Sequence, residues 1–391
     1  MIAASYKYKI SMVLILEDEI LEIQNESISA ITINSNYDIN NRPIIYISLR
    51  VRPDLYNKMV LNNETALINL RIKKTNLNGG SSLEKDYIHD RFSYLIKSDP
   101  AYDMELNKEI NSDDNEYKSG IIALFKKESM DGIKCLYNGI IKNSNMASII
   151  HKYTSDRRMI IEPFESTKVF KSLIIPPMES LTELLSFLNE YDALYNRQYI
   201  YFEDFDITYL LGGSGNAIHS TDKYDTIIIN ICDTIDENSA EPGIIIDSNS
   251  KSYILNIASQ DISMTIDKTK NIEYESIVGV SSSGEIYKVS LDTGEDNRLN
   301  KQLVQRVYND NMRYIDNIRN AINSSSIYLQ VTKSEIDSSL FTPNKEYLVY
   351  NYNKLSSYNG RYMISYKKEI LIQQDNTFIS NTVLGFRKIE E

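Results

Sequence analysis

The chain has 391 residues, 42% hydrophobic and 25% charged, and carries a net charge of −12. That length suits two or three domains with sizeable cores, and the composition is that of an ordinary globular protein. The acid excess forgoes the counterion release that drives binding to phosphate backbones, and the brief basic clusters Arg71–Lys74 and Arg157–Arg158 make no stripe, so specific nucleic-acid binding is not expected.

No apolar run approaches the roughly 20 residues that a membrane-spanning helix needs. The short run Met12–Leu16 meets Glu17-Asp18-Glu19 at once, unlike a signal peptide. Cys135 and Cys232 lack metal-ligand spacing and read as two reduced, buried thiols of a protein made in a reducing cytoplasm. The 29 tyrosines against no tryptophan read as AT-rich coding and carry no functional weight.

The first part reads as β-structure. Met12–Leu16, Ser27–Ile33, Pro43–Val51 and Ala66–Lys73 are predicted strands between Asn-, Asp- and Pro-rich turns. Ile44 to Arg50 alternates as a strand with one wet face. Gly79-Gly80-Ser81-Ser82 interrupts the pattern, and the acidic stretch near 98–120 reads as a long loop inserted outside a barrel. Ile121–Phe125 and Ile133–Ile141 return to short apolar runs, and this first domain is expected to close near residue 160.

The segment Leu173–Leu211 is the most specific. Leu173-Ile174-Ile175 reads as a strand ended by Pro176 and Pro177, which offer no N–H to a ladder. Met178, Leu181, Leu184, Leu185 and Leu188 then recur at helical spacing, with Glu179 and Glu183 where the helix dipole favours acid. A helix this short is marginal alone, so its stripe must dock on a sheet. Tyr191 and Tyr195 follow, then a β-prone hairpin through Tyr199, Tyr201, Phe202 and Ile207–Leu211.

Beyond it, Thr226–Cys232, Gly243–Asp247, Ser252–Ile257, Ser276–Val280 and Glu285–Leu291 are predicted strands. Leu299, Leu303, Val307, Tyr314, Ile318, Ala321 and Ile322 keep helical spacing and predict a long helix near 300–323, packed on its own barrel or at a subunit interface. Strands are expected again near Ser326–Thr332, Glu346–Tyr352, Arg361–Ile372 and Phe378–Lys388. No repeat of solenoid or propeller period is present.

The sequence offers little chemistry. Gly212-Gly213-Ser214-Gly215 lacks the Gly-Lys-Ser/Thr of a phosphate loop and reads as a hairpin or linker; Asn216 stands where a nucleophile elbow needs glycine. His89, His151 and His219 are isolated. Asp204 and Asp206, beside Glu203, would share a strand face as paired carboxylates can, against the plain reading of a hairpin's solvent face. Asp113-Asp114-Asn115-Glu116 lacks the glycine-centred EF-hand loop. No catalytic residue, cofactor or metal site is expected.

The Ile175-Pro176-Pro177 lead-in, the helix bearing Leu181, Leu184 and Leu188, the Tyr191 to Tyr195 exit and the hairpin with Tyr201 and Phe202 together resemble the central part of phage tail baseplate hub proteins. That family is related to the hub portion of type VI secretion spike proteins. Tyr358-Asn359-Gly360-Arg361-Tyr362-Met363-Ile364, followed by Ile370-Leu371-Ile372, Phe378 and Phe386, looks like the closing strands of the second tube-like barrel in such hubs. Asp192-Ala193 departs from related segments, which often carry glycine at the helix exit.

The resemblance implies a β-rich α+β fold: a first tube-type barrel over 1–160, a strand-helix-hairpin brace over 161–211, and a second tube-type barrel over 212–391. It also implies a structural, non-enzymatic hub at the virion's tail tip, made in the host bacterial cytoplasm. Such a hub is a homotrimer whose pseudo-sixfold ring meets the tail tube protein, the central spike protein, the tape measure protein and baseplate wedge proteins. A tail-associated cell-wall hydrolase or another β-rich virion adaptor protein is the alternative.

Overall fold

The computed structural model describes residues 6–37, 42–76, 84–97, 117–126, 137–154, 158–195, 199–205, 207–212, 226–232, 243–246, 251–267, 274–281, 283–291, 302–307, 314–316, 318–319, 326–334, 336–343, 345–351, 359–374 and 377–389. The architecture is β-rich, with few helices.

The first part folds as β1 (Tyr6–Ile15), β2 (Ile20–Ile23), β3 (Ile28–Asn36), β4 (Ile44–Val51), helix α1 (Pro53–Leu61), β5 (Leu67–Asn76), β6 (Glu84–Lys97) and β7 (Lys118–Phe125). Period-2 alternation drives it: Tyr8, Ile10, Met12 and Leu14 point inward from β1 while Lys7, Lys9 and Ser11 point out. Pro53 starts α1, where a missing N–H costs nothing, and Tyr94 donates its hydroxyl to the Met59 carbonyl at 2.8 Å, pinning the helix to β6.

These strands do not close on themselves. The C-terminal strands β22 (Gly360–Gln374) and β23 (Thr377–Lys388) complete a closed eight-stranded antiparallel barrel in the order β22-β3-β4-β7-β6-β5-β1-β23. The last seam is narrow, with Tyr8 opposite Phe378.

The middle of the chain supplies β8 (Tyr137–Asn145), α2 (Met146–Thr154), β9 (Met159–Ile161), β10 (Val169–Met178), α3 (Leu181–Tyr191), β11 (Ile200–Asp204) and β12 (Ile207–Leu211). Strands β8 and β10 form a two-stranded antiparallel ribbon, while β11, β12 and β9 form a small sheet. The strand does not stop at the proline pair: β10 runs through Pro176-Pro177 to Met178, and the register shifts there. The shift in the β8–β10 pairing accommodates two residues that lack an N–H.

Helix α3 begins later than its apolar spacing suggests. Ser180 caps it, accepting from the Glu183 N–H at 3.2 Å, while the Glu183 carboxylate accepts from the Glu179 N–H at 2.9 Å. Met178 and Glu179 therefore precede the helix. Its exit needs no glycine, because Asp192 is extended at φ −157° and accepts the Ser166 hydroxyl.

The last part contains β13 (Thr226–Cys232), β14 (Gly243–Ile246), β15 (Lys251–Ala258), β16 (Ile262–Asp267), β17 (Ser276–Ser281), β18 (Ile286–Ser290), β19 (Gln302–Val307), β20 (Ser326–Ser334) and β21 (Tyr347–Asn351). Strands β14-β15-β13-β21 extend from β22, and β20-β16 extend from β23, so the same hairpin carries a second run of strands. Among the described residues, β15 and β16 do not pair with each other. Strands β18-β17-β19 form a satellite sheet.

The long helix expected near 300–323 is not formed over its first part. Gln302–Val307 is a strand parallel to β17, with Leu303 opposite Ile277; of the remainder, residues 314–316 and 318–319 are helical. Leu303 and Val307 are four apart, an even spacing that suits one face of a strand as well as one face of a helix. The 98–116 part of the acidic stretch and Gly79–Ser82 lie outside the described residues.

A buried polar seam joins the first barrel to the segment between β20 and β21. Glu369 is fully buried on the barrel side of β22. It accepts hydroxyls from Tyr8 at 2.7 Å, Tyr87 at 2.5 Å and Ser338 at 3.0 Å. Burial, and then the adjacent Glu369 charge, push both tyrosine hydroxyls well above their usual range, so they remain donors. Alongside, Lys74 pairs with Asp337 at 2.9 Å and lies 4.2 Å over the Tyr6 ring. Burial raises the Asp337 pKa, but the Lys74 charge and bonds from Ser339 and Lys74 outweigh it and hold the carboxyl below its ordinary 3.8.

Leu184 and Leu188 are completely buried, whereas Ile174 is 69% exposed. Leu184→Ala and Leu188→Ala should each cost about 2–5 kcal/mol in urea unfolding, and Ile174→Ala less than about 0.5 kcal/mol. Equal effects would misplace the brace. Glu369→Gln, which sets an amide against hydroxyl donors, should cost about 1–3 kcal/mol in the same assay. Because the Asp337 pKa is depressed, its pair with Lys74 stabilises above the unfolded-state value and is lost as pH falls through the folded one. Asp337→Asn should therefore lower the melting temperature at pH 6–7 and reduce its fall below about pH 4; parallel acid profiles would refute the assignment.

Candidate functional site

The brace is where the cores converge. On its inner side, Ile175, Leu181, Leu184, Leu188, Tyr195 and Tyr201 are buried in one apolar cluster with Ile149 and Ile150 of α2. Tyr191 is half-buried, its ring 5.6 Å from that of Phe170. The next residue along β11 faces the other way: Phe202 stacks on Tyr209 at 5.0 Å within the core of the second sheet, where Tyr362 is also buried. Tyr209 and Leu211 follow Phe202, while Leu210 follows Tyr201. The small sheet is thus a wall buried on both faces.

The hairpin tip reaches the third core. Phe205 turns the chain at φ +46° and packs against the apolar interior of the first barrel. A bulky residue in the left-handed region is held there by its surroundings. Five residues, Tyr201 to Phe205, therefore touch three cores.

The acidic residues considered for catalysis hold this junction together. Asp204 accepts from Ser35 and Tyr37 hydroxyls, both at 3.4 Å, and Arg42 lies 3.5 Å from Glu203. Burial, with the Asp204 charge second, raises the Tyr37 hydroxyl well above its usual value and keeps it a donor. These contacts tie the hairpin to the end of β3 and the segment after it; Asp206 lies outside the described residues.

Gly212 is built into the same wall. Its N–H donates to the buried Glu162 carboxylate at 2.7 Å, and a Cβ there would lie 2.6 Å from the Tyr195 ring. Tyr195 in turn donates to the Glu162 carbonyl at 2.7 Å, and burial raises its hydroxyl. The first glycine of Gly212–Gly215 is thus packed against an aromatic face and spends its donor on a carboxylate, unlike a phosphate loop; the other three residues lie outside the described ones.

Gly360 opens β22 at φ +149°, where a Cβ would meet the Lys388 side chain at 2.6 Å, so only glycine suits this approach. His89 and His151 are exposed, and Cys232 is half-buried beside Asn230, whose amide lies 3.4 Å from its sulfur. Cys135, His219 and Asp113–Glu116 lie outside the described residues. Among the described residues no three His, Cys, Asp or Glu side chains converge as metal ligands, and no helix is long and apolar enough to cross a membrane.

The sequence reading missed the outer face of the brace. Pro176 and Pro177 are exposed at one end of the β8–β10 ribbon, and Ile174 stands directly opposite Ile140 on its open side. An uninterrupted Leu173-Ile174-Ile175 run reads as buried on both faces, so the outward isoleucine has no local signature. The register of β8 against β10 was the missing information.

The sequence matches no protein-family model and no curated protein. Its fold does match solved structures. The 43 kDa tail protein of prophage MuSo2 from Shewanella oneidensis aligns over 97% of this chain and 98% of its own, with 11% identity and a TM-score of 0.50. A tail protein from Neisseria meningitidis MC58 aligns over 97% of this chain and 96% of its own, with 8% identity and a TM-score of 0.52. Across nearly its whole length the chain has the fold of these two tail proteins.

Proposed function

We propose that the chain is a structural hub of a phage tail or tail-like particle, located at the tail tip. Three copies form a ring, each contributing two tube-type units, so that six units face a sixfold tail tube while three chains face a central spike. The tape measure and baseplate wedge proteins are further partners in this reading. The working parts are surfaces and rigid joints, and no catalytic set is assigned.

The observation that carries the proposal is the full-length fold match to two tail proteins. The β22–β23 hairpin supports the ring reading, because it lies in both large cores of one chain. A hairpin shared in this way fixes the spacing and angle between two barrel-type units, as a three-to-six adaptor requires. The acidic balance suits a lumen through which nucleic acid slides without adhering.

Single-particle electron microscopy of the purified chain, alone and mixed with a candidate spike protein, tests this reading. Threefold rings with six lobes around a pore are expected. Compact monomers in both samples would overturn the ring. A cell-wall zymogram should show no clearing; clearing would instead favour a tail-associated hydrolase.

A further inference from the structure

Two exposed surfaces of opposite charge lie outside every core. The first is the open face of the β8–β10 ribbon. Its inner face is covered by α2 and α3, but on the outer face Ile140 and Ile174 form a cross-strand pair, 63% and 69% exposed. Lys142 stands beside them opposite Ser172 on the same face, while Lys171, toward the Val169 end of β10, and Lys168, just before the strand, are exposed nearby. An apolar pair flanked by lysines is unusual on a chain of net charge −12.

The second surface is the β1–β2 end of the first barrel. From Ile10 to Asn41 the sequence contains no lysine or arginine, yet it holds Glu17, Asp18, Glu19, Glu22 and Glu26. Ile20 is 72% exposed at this turn. Lys58 of α1 pairs with Glu19 at 2.5 Å, which brings the helix end, with Leu61 exposed, to the same end of the barrel. Among the described strands β2 pairs only with β1.

We infer that the acidic β1–β2 end of one copy docks on the lysine-flanked apolar face of the β8–β10 ribbon of the next copy. The inference rests on the ring reading, from which it takes a second copy as the occupant. Charge complementarity selects the pairing: acid carboxylates meet Lys142 and Lys171, and Ile20 and Leu61 meet Ile140 and Ile174. Two ribbons set face to face would oppose lysine to lysine, and two β1–β2 ends acid to acid. The contact uses two different patches, so it is heterologous and head-to-tail, the kind that closes into a ring when the rotation permits.

Sedimentation velocity on the full chain tests the pairing, with thermal unfolding as the folding control. The reversals K142E/K171E and D18K/E22K alter exposed side chains and should leave the melting temperature near wild type. Each should weaken association by about tenfold or more at low salt, and the wild-type association should itself weaken as salt screens it. The chain carrying all four substitutions restores opposite charges across the contact and should regain wild-type association. Ile174→Asp should dissociate copies without unfolding them. Reversals that assemble like wild type, or a fourfold swap that stays dissociated, would overturn this interface while leaving the ring intact. A wild-type chain that stays monomeric at every concentration would overturn the interface and the ring together.

Discussion

The structure depends on one hairpin doing two jobs. Strand β22 is 15 residues long, roughly 50 Å at strand rise, and β23 runs antiparallel beside it for 12. Near the turn between them, Leu371 and Phe378 point into the first barrel. At the far end, Tyr362, Ile364, Leu384 and Phe386 belong to the second core. The register shift between Ile364 and Tyr366 lies at the change-over. A bulge adds local twist and re-aims the strand, so one hairpin leaves the first barrel and enters the second sheet without a break in pairing. Neither large core is complete without it, which makes the C-terminal strands the structural link for everything before them.

Two polar devices fix what the apolar cores alone would leave adjustable. Glu369 sits where a leucine would fill the barrel end at no electrostatic cost; it persists because Tyr8, Tyr87 and Ser338 supply donors from three separate segments. Buried charge satisfied in this way adds little net stability, but it penalises any arrangement that separates the donors. The Asp204 and Glu203 contacts act similarly at the hairpin tip, near Phe205. The hairpin that resembled a paired-carboxylate site is thus a joint. Its acids contact hydroxyls and an arginine from the first barrel's edge.

What the sequence conveyed follows from what is local. Ile44–Val51 announces itself by the alternation that ends it, Thr226–Cys232 by its run of isoleucines, and the brace helix by its leucine stripe. Strand β6 was hidden because its outward face is crowded with Lys85, Asp86, His89 and Arg91 and only Ile88, Phe92 and Tyr94 are buried. Helix α1 hid between strands, although Pro53-Asp54 is a fair start signal. The strand at Gln302–Val307 was misread because spacings of four serve both periods. Closure of the first barrel by residues 360–388 lies beyond any local reading, since it is a pairing across most of the chain. Of the junction, the aromatic hairpin was legible; its three-way packing was not, because Tyr201 and Phe202 differ only in which side of the strand they occupy.

The same distinction between face and edge bears on how copies meet. A two-stranded ribbon offers two unpaired edges and one open face, and an unpaired edge is the usual route to uncontrolled strand addition. Here Pro176 and Pro177 leave two successive positions of β10 without an N–H, and the register of its pairing with β8 shifts there. Lysines near the ribbon further discourage a second lysine-bearing ribbon. Edge pairing is thereby disfavoured, while the Ile140–Ile174 face stays open. A surface protected along its edge but apolar across its face suits a partner that covers it flat, brings acid to the lysines and adds no strand. The β1–β2 end brings that acid, since Ile20 is exposed at a turn that carries Glu17, Asp18 and Glu19, and the Lys58–Glu19 pair holds the end of α1 beside it.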